Sequence, residues 1–392
     1  MTQENHRRIV DATTLQLAEA GLRGATLRKI GVRAGVNFAR LATAYGGKDK
    51  LVAACFADVV ERDLARLAAL AEELGGAHLT RFLWALCEDA GGPRRTDNVV
   101  LIELLVASGR PELDDIFRHW IRARRDLLRT IAGRDGVDPL VADVLGLATL
   151  MECGFAVSSY DSLSYRLIAQ ASLQEALDRL SGIPGANDRG ELEALIADYY
   201  APSRDRPVSD NGNDGGRQGR NHIVNAAAEM FIEQGLEELT NRAVAKRAGV
   251  SLALTTYHFH SITELTLAAV RQAVETLANS LEPEATRGEL RSAMLKDRRR
   301  PAHAPESDVQ IHRGMLRVSL AAARVPSEAH LGHLVRRQTG LLAYAAVDKK
   351  KRGGEVSRTA AATYASGPAP AFWSRAIFRT MISPMNSRLR PR

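Results

Sequence analysis

The run Arg33-Ala34-Gly35-Val36 returns 214 positions later as Arg247-Ala248-Gly249-Val250, and this repeat constrains the chain more than any other feature of its 392 residues. The same shift lays Ile9 to Leu51 on Ile223 to Leu265 without a gap. It matches Ile9 with Ile223, Gly21 with Gly235, Thr26 with Thr240, Arg28 with Arg242 and Leu51 with Leu265. A segment repeated this closely points to two copies of one supersecondary unit. In the first copy Thr26 is a helix cap, and Leu27, Ile30 and Ala34 fall on one face of the helix behind it. Gly35 stands where a residue without a Cβ turns cheaply into the left-handed conformation, and Val36 tucks into the corner. Asn37 then caps a second helix, Phe38 to Ala44. With Leu41 and Tyr45 inward, that helix shows Phe38, Ala39, Arg40 and Thr43 outward.

Two short helices at a steep angle around a glycine turn form a helix-turn-helix, whose second helix fits the major groove of DNA. An ordinary helical corner is the alternative for a single copy. Duplication of the capping threonine, the preceding helix and the corner together favours the DNA reading. Both copies resemble the N-terminal DNA-binding domain of TetR/AcrR-family transcriptional regulators. That pattern is an amphipathic helix ending in Gly, then Thr-x-Arg-x-Ile-Ala, Ala-Gly-Val-Ser and Tyr-His-Phe. The second copy supplies IVNAAAEMFIEQG from Ile223, Thr240, Arg242, AKRAGVS from Ala245 and Tyr257-His258-Phe259. The first reads IVDATTLQLAEAG, Thr26, Arg28 and VRAGVN, and ends in Tyr45.

The resemblance implies a DNA-contacting set of Thr26, Arg28, Phe38, Ala39, Arg40, Thr43 and Lys48 in the first copy. In the second it implies Thr240, Arg242, Leu252, Ala253, Thr256, Tyr257 and His258. Arg40 suits a bidentate contact to guanine and Lys48 a phosphate contact. Arg28, Lys29, Arg33, Arg40, Lys48 and Lys50 are expected near the DNA face of the first copy, against Arg242, Lys246 and Arg247 in the second, where Ile262 replaces the basic residue opening the fourth helix. The resemblance further implies a helical ligand-binding and dimerisation body after each copy, and a repressor released by a small apolar ligand.

Helical periodicity without strand-like alternation makes the chain all-α. Beyond the first unit, helices are expected over 78–90, 97–108, 111–132, 138–158 and 162–182, the last two as dimerising helices by the resemblance. Trp84, Trp120, Tyr160 and Tyr165 are candidates to line a ligand cavity, with ordinary core packing as the simpler account. The division that follows is a DNA-binding head over 1–62, a helical ligand-binding and dimerisation body over 63–200 and a flexible linker over 201–219. A second head over 220–281, a short helical second body over 282–351 and a disordered basic tail over 352–392 complete it. Ser261 and Glu264 make a capping box for the fourth helix of the second head.

A net charge of +7 agrees with a polyanionic partner. Three scattered cysteines, without paired ligand spacing, fit reduced thiols, and no apolar run is long enough for a signal core or a membrane span. A cytoplasmic protein is expected. No phosphate-cradling glycine loop, nucleophile motif or ligand pair beyond His258-x-His260 supports the rival class, a helical enzyme, and no cofactor is expected. The expected partners are a double-stranded DNA operator and a small-molecule effector, with pairing either as a homodimer of chains or as an intramolecular pseudo-dimer. A further alternative has only the first head read DNA, the second unit being a degenerate pairing module.

Overall fold

The computed structural model describes residues 2–76, 78–108, 110–180, 214–235, 238–280 and 306–325, together with Gly332 and Arg336. The expected tail over 352–392, the expected second body outside 306–325, and residues 201–213 of the linker lie outside the described residues, Gly332 and Arg336 apart. Among the described residues every regular element is helical, so the chain is all-α.

The first copy comprises α1 (Gln3–Gly24), α2 (Leu27–Ala34) and α3 (Phe38–Tyr45), followed by the long α4 (Lys48–Glu73). Helix α1 is broken at Gly21, whose φ of 66° is open to glycine, as the sequence indicates. Then come α5 (Leu79–Gly91), α6 (Arg95–Val106), a 3₁₀ turn at Pro111–Leu113, α7 (Asp114–Arg134), α8 (Pro139–Ser159) and α9 (Leu163–Leu180). The second copy comprises α10 (Asp214–Gln234), α11 (Asn241–Ala248) and α12 (Leu252–His258), continuing into α13 (Ile262–Ser280). Helix α14 (Glu306–Arg324) follows. Because α10 starts at Asp214, the second copy begins inside the stretch expected to be linker.

Helix α14 falls within the short helical second body expected over 282–351, and it packs against α6 and α8 of the first unit and against α10 and α13 of the second. Its residues explain this placement. Leu316, Leu320 and Ala323 form one stripe and join the core of the first copy with α4, α6 and Trp120. Met315, Val318 and Ala322 form another and join a core shared by α5, α8, α9 and the second copy. A helix with apolar stripes on two sides is stable only when it is covered on both.

The 214-residue shift also persists into this helix, since α6 moved by 214 falls at 309–320, inside α14. Helix α6 crosses α1, and α14 crosses α10. The two equivalent helices also pack on each other, antiparallel. Arg95 near the start of α6 donates to the Ala323 carbonyl at the end of α14 (2.5 Å), and Arg313 near the start of α14 donates to the Ser108 carbonyl just beyond α6.

Candidate nucleic-acid interface

Each corner is built by local chemistry that the shift reproduces. The Thr26 hydroxyl accepts from the Lys29 amide (3.3 Å) and the Thr240 hydroxyl from the Ala243 amide (3.1 Å), each closing the first turn of its helix. Gly35 and Gly249 are left-handed (φ 63° and 65°), and the next amide turns back to Gly31 O (2.8 Å) or Ala245 O (3.0 Å). Asn37 Oδ1 then accepts from the Ala39 amide (2.8 Å), and Ser251 Oγ from the Leu254 amide (3.1 Å), opening α3 and α12.

On α3, Leu41 is fully buried and the half-buried Tyr45 hydroxyl lies 2.8 Å from His6 Nδ1, which orients the helix on α1. Phe38 is 56% exposed, and Ala39, Arg40 and Thr43 are exposed beside it. The Thr43 hydroxyl donates to Ala39 O (3.0 Å), so toward a base edge it offers an acceptor and a methyl group. Arg28, Lys29 and Lys50 are exposed as well. Sequence reasoning thus places an aromatic ring and a guanidinium on the open face of α3, and the structure brings them there.

On α12 the open face is apolar. Leu252 is 47%, Leu254 37% and Tyr257 75% exposed, with Ala253 and Thr256 between them. Buried Thr255 takes the place of Leu41, and Leu254 that of Arg40. His258 is half-buried, packed edge-on to Tyr257 and backed by Gly219 of α10. Buried Phe259 takes the place of Tyr45, with the Arg220 guanidinium 4.9 Å above its ring where the first copy has His6. The expected capping box is present in altered form: Ser261 Oγ accepts from the Glu264 amide (3.1 Å), and Glu264 accepts from the His260 amide (3.0 Å).

Two basic residues expected at the DNA face are engaged elsewhere. Arg33 is held by Glu19 of α1, with Nη1 2.9 Å from Oε1, and Arg247 is held by Glu233 (2.8 Å) and Glu229 (3.3 Å) of α10. Glu19 and Glu233 are equivalent under the shift, so the same exposed ion pair links the first two helices in both copies. Lys48 is half-buried, its Nζ 3.5 Å from Arg23 O. Burial lowers its pKa, and Arg110 and Arg23 push the same way against the neighbouring Asp49.

The four aromatic candidates are dispersed through the packing. Trp120 is fully buried and donates from Nε1 to Asp63 (2.8 Å), while Tyr165, buried in the other core, donates to Glu152 O (3.1 Å). Trp84 packs at the edge of that second core, and Tyr160 lies against Gly91 with Arg166 over its ring (5.2 Å). Among the described residues no group of three or more His, Cys, Asp or Glu is placed to hold a metal, and no helix is long and apolar enough to cross a membrane.

Sequence reasoning missed the arginines that join the copies. Arg324 donates to Ala18 O (3.0 Å), Leu17 O (3.2 Å) and Glu103 Oε2 (2.6 Å), and Glu103 Oε1 accepts from the Leu22 amide (3.0 Å). Arg317 donates to Ile232 O, and Ile232 is the equivalent of Ala18. Helix α14 thus grips the end of the first helix of both copies, and Arg23 pairs directly with Glu238 between them. Carbonyl partners leave no trace in a sequence, so no signal marked these residues.

Comparison with curated proteins yields no relative that matches the chain. Residues 223–269, from α10 through the corner and into α13, match the family described as bacterial regulatory proteins, tetR family, and this match supports a DNA-binding transcriptional regulator of the TetR family.

Proposed function

We propose that the chain is a sequence-specific regulator of transcription in which both copies are TetR-type heads acting together as an intramolecular pseudo-dimer. The observation that carries this reading is the antiparallel packing of the equivalent helices α6 and α14, which is what a local two-fold relation between repeats produces. Helices α3 and α12 serve as the two recognition helices, and their centres must lie ~34 Å or a multiple apart to enter successive major grooves. Their outward residues differ, so the operator is asymmetric. Arg40 reads guanine through O6 and N7, while Leu254 at the equivalent position favours the thymine methyl group. The regulator is a cytoplasmic repressor that blocks its operator until a small effector alters the relation of the heads.

A second reading keeps only the first head on DNA, with α12 as a pairing surface between chains. The apolar triplet Leu252, Leu254 and Ile262, at the positions of Phe38, Arg40 and Lys48, favours it. Selection of bound genomic fragments followed by footprinting, with mass in solution measured by light scattering, separates the two. A monomer protecting two unlike half-sites supports the pseudo-dimer. A dimer protecting a palindrome establishes the second reading, and no enriched fragment at any salt concentration defeats both.

A further inference from the structure

Helix α1 breaks at Gly21, whose φ of 66° interrupts the ladder that would join the Leu22 amide to the Ala18 carbonyl. Side chains from two other helices meet both groups. The amide donates to Glu103 Oε1 of α6 (3.0 Å), and the carbonyl accepts from Arg324 Nε of α14 (3.0 Å). Arg324 Nη2 donates to the next carbonyl back, Leu17 O (3.2 Å), and to Glu103 Oε2 (2.6 Å). An ion pair whose side chains are both 8% exposed is thereby spliced across the break. In the second copy Gly235 takes the place of Gly21, again at positive φ (101°), and the Ile232 carbonyl, in the place of Ala18, accepts from Arg317. Arg317 and Arg324 are seven residues apart on α14, so they share one face, about 10.5 Å apart along the axis. One helix therefore takes hold of each copy at its glycine break.

We infer, resting on the pseudo-dimer reading, that Arg324 and Glu103 are positioning residues for DNA reading, and that their pair, with Arg317, makes α14 the ruler that sets which half-site spacing the chain accepts. Gly21 stands five residues before the cap Thr26, so the clamp takes hold of the first head beside its corner. A guanidinium fork bonded to two carbonyls and a carboxylate fixes direction as well as distance. Heads fixed in this way enter both major grooves with no ordering left to do, but only where the half-sites match their separation. Loosened heads follow several spacings, with lower affinity for each.

The test uses the full chain and the genomic site it selects, divided into single half-sites and rebuilt with spacers that cover one turn of DNA, about 10 base pairs. The parent should prefer one spacing sharply. Arg324→Ala should leave the affinity for each single half-site unchanged and lower the preference for that spacing roughly tenfold. Glu103→Gln keeps an acceptor for the Leu22 amide while losing the charge that draws Arg324, so it should lower the preference less. It also carries the test if Arg324→Ala does not fold. A spacing preference unchanged in both variants overturns the inference. So does an equal loss on single half-sites, which marks a purely structural contact. A parent that binds paired half-sites no better than single ones at every spacing defeats the pseudo-dimer reading itself, and the ruler with it.

Discussion

At the position where the first copy turns Arg40 outward from α3, the second turns Leu254 outward from α12, and Phe38, Thr43 and Lys48 are likewise exchanged for Leu252, Tyr257 and Ile262. Behind these faces the corner itself is built alike in both copies. Thr26 and Thr240 cap the same turn, Gly35 and Gly249 make the same left-handed corner, and Arg33 and Arg247 hold equivalent glutamates. The corner is set by short-range geometry that tolerates few residue types, whereas an outward residue is constrained only by what it meets. Duplicated frames can therefore stay alike while their surfaces diverge.

The copies differ again in how they are anchored. In α4, buried Asp63 accepts from Arg124 (2.7 Å), Trp120 (2.8 Å) and Arg94 (3.2 Å), tying the first head to α6 and α7. The equivalent position in α13 is Leu277, which has no carboxylate to offer. The largest expected effect follows from this. Asp63→Ala leaves the buried Arg124 without its carboxylate and should cost about 3–5 kcal/mol in urea unfolding. A loss below about 1 kcal/mol would mean that this network does not distinguish the anchoring of the copies.

Next in size is the contrast of the recognition helices. Arg40→Ala should weaken specific DNA binding by about 1–3 kcal/mol and relax preference at one base position, while Leu254→Ala should cost less and act in the other half-site. Binding to a panel of singly mutated operators reads both. Identical specificity profiles for the two variants would end the claim that the heads read different bases.

A third pair asks whether the frames are as alike as they look. Gly35→Ala and Gly249→Ala each force a Cβ into left-handed backbone, and each should destabilise its head by about 1–2 kcal/mol. Hydrogen exchange of α2 and α11 amides in the two variants makes the comparison, and a cost confined to one copy would break the equivalence. The smallest effect belongs to Lys48, which has no basic counterpart in the second copy. Lys48→Ala should weaken all DNA sequences about equally and make the salt dependence shallower by about one counterion. A base-dependent loss would instead place Lys48 in readout.

Much of the frame was legible in the residues. The caps at Thr26, Asn37, Thr240 and Ser251, the left-handed glycines and the break at Gly21 depend on contacts within a few residues, so composition and spacing suffice to locate them. The register of the repeat then brought the outward residues of α3 and α12 into correspondence. Burial partners were not legible. The periodicity of 306–324 announces apolar stripes but not what covers them, and only the folded chain places Met315 in one core and Leu316 in the other. Arg33 pairs with Glu19 across the helix pair and the Trp120 indole nitrogen donates to Asp63, contacts that residue spacing does not announce. Residue order is enough to locate the two corners, because these are local conformational preferences. Tertiary structure alone decided which helices meet across 200 residues of chain and which charges are neutralised there, because burial and ion pairing depend on positions in space that sequence separation does not encode.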